Sequence, residues 1–146
     1  MLQQILLPYV LALIINEKNE VLLEYRKNTE WFSDQYGLAG GKIDGTESAT
    51  QALVRELLEE LGITVAPKDV EFAHVMHFMG EDAPCVAFFY TIRTWQGDIN
   101  NLEKNKHDHL SWFPLDKLPE KIIPRHKKAL ELIAKGVLYS EDNWQK

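Results

Sequence analysis

Three glutamates in one short segment carry the clearest chemistry in this chain. From about Ser48 to Leu61 there is no Gly or Pro, Thr46 or Ser48 supplies a cap, and Gly62 supplies a stop, so a helix is predicted. At about 100° per residue, Glu56, Glu59 and Glu60 share one face as i, i+3 and i+4. Val54, Leu57, Leu58 and Leu61 fall on the opposite face, which is expected to enter the core. Two carboxylates roughly 5.5 Å apart repel by about 3 kcal/mol at an effective dielectric near 20, and Arg55 alone cannot neutralise three of them. A divalent cation can. Hard oxygen donors suit Mg2+ or Mn2+, and Mg2+ is held by one or two carboxylates and completed by substrate phosphate. The segment therefore points to chemistry on a phosphorylated molecule.

Several elements must position this helix. Val10 to Ile15 and Val21 to Tyr25 flank the polar Asn16–Glu20 and read as a hairpin. A polar loop with Trp31, Phe32 and Asp34 leads into Tyr36 to Gly41, a short strand ending in a Gly pair whose backbone can approach a ligand closely. Strands follow at Val70 to Phe78, Cys85 to Arg93 and His109 to Phe113, and a closing helix at about Pro124 to Ala134. Strands mixed with two well-separated helices imply a sheet covered on both faces. No repeat, low-complexity segment or linker interrupts the pattern.

At 146 residues, 45% hydrophobic and 26% charged, the chain is expected to form one domain with a real core. A net charge of −6 without a basic block argues against a nucleic-acid polymer as partner. The single Cys85 precludes an intramolecular disulfide and suggests a reducing, cytoplasmic setting; in the run PCVAFFYTI it reads as a buried, inert thiol. The apolar run Ile5 to Ile15 has no basic n-region or cleavage site, contains Pro8, and is too short to span a bilayer. It is expected to be a buried strand, with no membrane partner.

Gly41 to Ile63 resembles the box of the Nudix hydrolases, G-x5-E-x7-R-E-U-x-E-E-x-G-U with U aliphatic. Gly41, Glu47, Arg55, Glu56, Leu57, Glu59, Glu60, Gly62 and Ile63 meet every position. The resemblance implies an α/β fold of the Nudix type, an α/β/α sandwich with a mixed β-sheet, in one domain spanning residues 1–146. It also implies that Glu56, Glu59 and Glu60 bind divalent cations, with a backbone carbonyl of Gly40 or Gly41 nearby. Arg55 would orient a glutamate, Glu56 first, and Glu47 would support the box, a role equally open to a first-turn glutamate favouring the helix dipole.

Outside the box the resemblance is to MutT-type members. Arg26 matches an arginine that binds substrate phosphate. The segment from Asn101 to Asp116 is similar to N-x-E-P-x-K-C followed by L-x-W-F-x-L-D, which marks Glu103 as an extra loop carboxylate. Lys104 stands where that pattern has proline and His107 where it has cysteine, and Asp108 competes for the Glu103 role. Ala39 replaces a proline before the Gly pair. Trp31 and Phe32 are candidates for a base contact, as are Trp95 and Trp112, which otherwise read as core. His74 and His77, three apart on a strand, point to opposite faces and read as packing residues. The aromatic tail from Tyr139 to Trp144 can fold onto the domain or meet a partner.

The implied activity is Mg2+-dependent hydrolysis of a nucleoside diphosphate linked to another moiety. A (deoxy)nucleoside triphosphate, ordinary or oxidised, comes first, giving a monophosphate and pyrophosphate; Glu56, Glu59 or Glu103 is the base. ADP-ribose or another sugar nucleotide is the alternative substrate. A non-catalytic nucleotide sensor is the alternative from another class, marked by a degenerate box, whereas this box keeps every acidic position. A small nucleotide is the expected partner of a monomer or homodimer.

Overall fold

The computed structural model describes residues 3–145. Strand β1 (Leu7–Ile14) is apolar on both sides of its pleat, a pattern that suits a strand buried on both faces. It lies inside a five-stranded mixed sheet, with β4 (Ala39–Lys42) antiparallel on one side and β6 (Pro84–Ile92) parallel on the other. Next to β6 runs β5 (Glu71–Met79), antiparallel, and then β8 (Tyr139–Asp142), parallel to β5. A second, antiparallel sheet has the order β3 (Tyr36–Gly37), β2 (Glu20–Arg26), β7 (His107–Pro114).

Alternation along β1 divides the core. Val10, Ala12 and Ile14 pack with Leu53, Leu57 and Leu61 of helix α1 (Ala49–Leu61), whereas Leu13 and Ile15 pack with Ala129 and Leu130 of α2 (Pro124–Ala134). One helix therefore covers each side, and the predicted α/β/α arrangement is present. Burying each of those leucines contributes about 1.5–3 kcal/mol. Ser48 caps α1: its Oγ accepts from the Gln51 amide at 3.1 Å, and Gln51 Oε1 accepts from the Ser48 amide at 2.8 Å. Gly62 ends the helix at φ 72, donating its amide to the Leu58 carbonyl. No helix among the described residues is long and apolar enough to cross a membrane.

Two local expectations need correction, and the tail takes one of its two expected courses, folding onto the domain. β1 and β2 do not form a hairpin: after the single Ile15↔Val21 bridge they part into different sheets, because the edges of β1 are taken by β4 and β6 and those of β2 by β3 and β7. Tyr36 to Gly41 is two strands, not one, with the chain passing from one sheet to the other at Leu38. The tail forms β8, anchored by Trp144 Nε1 donating to the His77 carbonyl at 3.0 Å. Nothing in the polar sequence YSED announces a strand; the unpaired edge of β5 recruits it.

Candidate active site

Helix α1 brings its carboxylates against β4, and Arg55 organises them. Its Nη2 and Nε donate to Glu47 Oε1 and Oε2 at 2.6 and 3.0 Å, a two-point fork. Its Nη1 donates to Glu56 Oε1 at 3.1 Å and Glu59 Oε2 at 3.2 Å, and Nη2 also reaches the Lys42 carbonyl. The expected contact with Glu56 is made, but Glu47 is the stronger partner. Glu47 precedes the cap rather than occupying the first turn, and it also accepts from the Asp44 amide at 2.9 Å. The hydrogen bonds from Arg55 hold Glu47 down to about 2 and push Arg55 itself above its ordinary value. One guanidinium facing Glu47, Glu56 and Glu59, with Asp44 Oδ2 also 3.6 Å from Nη2, leaves negative charge uncompensated.

Glu60 is placed differently from the sequence expectation. It is 6% exposed, while Leu58, predicted to face the core, is 53% exposed. The reason lies on β4, where the Gly40 amide donates to Glu60 Oε2 at 3.0 Å and gives the carboxyl a buried donor. Glu24 of β2 and His107 of β7 face the same point, with donor atoms of the three residues within 4.8 Å of one another. Burial pushes Glu24 up to about 8 and Glu60 up to about 10, and pushes His107 down to about 4. Burial thus favours the neutral form at both ends of the 3.3 Å contact between Glu24 Oε1 and His107 Nε2. Burial also raises Glu56, against the lowering effect of Arg55.

A register shift decides which side chain of β7 reaches this cluster. Leu110 pairs with Glu24 and His109 with Tyr25, but Arg26 then pairs with His107, so Asp108 is the extra residue of a bulge. Paired residues on antiparallel strands share a face, and without the bulge Asp108 would face inward. With it, His107 turns in beside Glu24, and Asp108 turns out to Lys27 and His109. Glu103 remains near the cluster, and its charge helps raise Glu24, Glu56 and Glu60.

The Gly pair is a steric requirement. Gly40 has φ 151, and a Cβ there would collide with the Val10 carbonyl oxygen; a Cβ on Gly41 would stand 2.5 Å from Glu56 Oε1. Beside the pair opens a cavity of about 510 Å³. Arg26, Trp31, Phe32, Gly40, Gly41 and Glu60 line it, as do Glu24 and Arg125, whereas Arg55, Glu56, Glu59 and Glu103 stand outside its lining. Arg26 donates to the Trp31 carbonyl from Nε and Nη2 at 3.3 and 3.2 Å. Arg125 lies 3.9 Å over the Phe78 ring and 6.0 Å from Phe32. Phe32 is held at φ 53, an outlier for a bulky residue.

The remaining candidates lie elsewhere. Trp95 and Trp112 stack on each other at 6.4 Å beside a separate cavity at the Glu20 end of β2, about 20 Å from Arg26 by strand rise. His74 is buried with both ring nitrogens bonded, to the Val137 carbonyl and Ser140 Oγ, and His77 packs on Trp144. Cys85 is buried, its thiol donating to the Ala83 carbonyl. Sequence reasoning missed Glu24, His107 and Arg125 as parts of the site. Glu24 had one signal, a lone charge inside the apolar run VLLEY.

The donor set fits a divalent cation: carboxylates crowd one edge of the Gly pair, one arginine serves three of them, and Glu24 Oε2 is buried with no hydrogen-bond partner among the described residues. Residues 6–133 match the NUDIX domain family. The chain is 30% identical over 92 residues to an 8-oxo-dGTP diphosphatase of Escherichia coli (strain K12), covering 63% of this chain and 70% of that one. It is 43% identical over 74 residues to a CTP pyrophosphohydrolase of the same organism, covering 49% and 53%. The crystal structure of a MutT NUDIX hydrolase from Burkholderia pseudomallei superposes with a TM-score of 0.79 at 29% identity, covering 88% of this chain and 98% of that one. On sequence and on fold, then, this chain belongs to the NUDIX domain family, as a MutT-like hydrolase of phosphoanhydride bonds.

Proposed function

We propose that this protein is a cytoplasmic, Mg2+-dependent pyrophosphohydrolase of (deoxy)nucleoside triphosphates, including oxidised forms, releasing a nucleoside monophosphate and pyrophosphate. The observation that carries the reading is the meeting of Glu56 and Glu60 with the Gly40–Gly41 pair, Glu59 joined to Glu56 through Arg55, at the edge of a cavity lined by Arg26, Arg125 and two exposed aromatic rings. Relatives named for nucleoside triphosphates support the substrate class.

In this reading Glu56, Glu59 and Glu60, with a carbonyl of the Gly pair, hold the cation, and Arg55 keeps Glu56 and Glu59 in place. Bound Mg2+, or Mn2+ in its stead, supplies charge against the phosphate oxygens and acidifies the attacking water. Arg26 has donors left after its bonds to the Trp31 carbonyl, and these take a phosphate oxygen. Trp31 and Phe32 offer ring faces to the base. Glu56, Glu59 or Glu103 accepts the proton of the water as it attacks phosphorus and pyrophosphate leaves. Glu103 lends a further carboxylate from its loop.

The test is a panel of ordinary and oxidised nucleoside triphosphates, ADP-ribose and diadenosine polyphosphates with Mg2+, products identified, and Glu59→Gln run alongside. Monophosphate plus pyrophosphate, lost in the variant, supports the reading. Turnover of ADP-ribose alone moves the substrate to the sugar nucleotides, a class also represented among the relatives. Tight nucleotide binding without turnover would instead mark a sensor.

A further inference from the structure

Glu24, Glu60 and His107 come from β2, α1 and β7 and present two carboxylates and one imidazole to a single point, with donor atoms within 4.8 Å of one another. All three are buried. Their hydrogen bonding is incomplete: among the described residues, Glu24 Oε2 and His107 Nδ1 have no partner. Arg26, whose Nε and Nη2 are directed to the Trp31 carbonyl, makes no hydrogen bond to either atom. A buried carboxylate oxygen left without a donor is costly to keep, so the arrangement calls for a ligand.

We propose that Glu24, Glu60 and His107 bind a divalent first-row transition ion, Mn2+ or Zn2+, in preference to Mg2+, and that this ion pins α1 to β2 and β7. Donors around such an ion stand roughly 3 to 3.5 Å apart, a spacing that small side-chain rotations reach from the positions seen. The imidazole sets this group apart from the all-oxygen carboxylates of Glu56 and Glu59, since nitrogen donors favour Mn2+ and Zn2+ over Mg2+. Access is provided, because Glu24 and Glu60 line the 510 Å³ cavity. Arg26 lies close to both carboxylates, and its charge together with that of the ion balances Glu24, Glu60 and the neighbouring Glu103. The β7 bulge gains a purpose here: it presents a nitrogen donor inward where an unbulged strand would present Asp108.

This ion site shares Glu60 with the cation-binding set of the proposed hydrolytic site and adds Glu24 and His107, which that set does not use. The test is pulsed EPR of the whole protein with one equivalent of Mn2+ in excess Mg2+, where a directly bound imidazole couples its nitrogen to the ion. Nitrogen coupling is expected in the wild type and in Glu59→Gln and absent in His107→Leu. Mn2+ affinity should fall by roughly 10–100-fold or more in Glu24→Gln, with circular dichroism showing each variant folded. A wild-type spectrum without nitrogen coupling overturns the proposal, as does coupling that survives in folded His107→Leu. Coupling in a wild type that hydrolyses no nucleotide would sink the hydrolase reading and leave this site standing.

Discussion

The Gly40 amide donates to Glu60 Oε2 at 3.0 Å, tying the strand that opens the motif to the helix that carries its carboxylates. The bond spans sheet and helix, and it explains why an acidic residue occupies a core-facing position of an otherwise apolar helix face. Loss of the approach that permits it should therefore be felt in both folding and chemistry.

Gly40→Ala and Gly41→Ala should fail in different ways. The first forces a Cβ into the Val10 carbonyl at a φ that L side chains avoid, so urea denaturation should show a loss exceeding about 1–3 kcal/mol. The second meets the carboxylate of Glu56, a movable group, and should lower hydrolysis more than stability. Equal stability losses in the two variants would contradict this.

Arg55→Lys keeps the charge but removes the fork that holds Glu47 while reaching Glu56 and Glu59. Activity and Mg2+ affinity should drop by roughly 10–100-fold, as for loss of a group that orients metal ligands. Titration of Mg2+ against initial rate reads both, and wild-type behaviour would show that the fork is dispensable.

Leu57→Ala should lose about 2–5 kcal/mol and Leu58→Ala less than about 0.5. The pair tests the orientation of α1 directly. Similar losses at both positions would mean that the helix presents the face anticipated from its periodicity instead.

Metal-free stability should decline on both sides of neutrality. Glu24 and Glu60 have folded values raised from 4.5 to about 8 and about 10, so the folded state holds their protons longer and stability falls as pH rises from about 4.5 through those values. His107, and His126 of α2, whose Nδ1 accepts from the Leu38 amide at 3.0 Å, are lowered from 6.5 to about 4 and about 3 by burial, so their contribution is present above 6.5 and lost as pH falls through those values. Melting temperatures with chelator across pH 4 to 10 should show both limbs, with the alkaline one flattened in Glu60→Gln. An unchanged alkaline limb in that variant would refute the raised carboxyl.

Much of the site is legible in the order and spacing of residues. Ser48, Gly62 and the motif spacing place α1 and its cap residues, because capping and helical periodicity are local. Arg26, Trp31 and Phe32 do line the cavity next to the Gly pair, and Glu103 is nearer the carboxylates than Asp108. The helix face is where periodicity misleads: it counts Leu58 as core and Glu60 as surface, and cannot see a buried amide waiting on β4.

The amino-acid sequence by itself determined the family, the order of the principal elements and the residues of the motif, since each depends on spacing along the chain. Tertiary structure alone decided which partners those residues meet. The bulge that turns His107 inward, the recruitment of Tyr139–Asp142 to the edge of β5, and the burial that shifts Glu24 and Glu60 toward neutral carboxyls all arise from strand register and desolvation. Those are long-range quantities, set only when segments distant in sequence exclude water together.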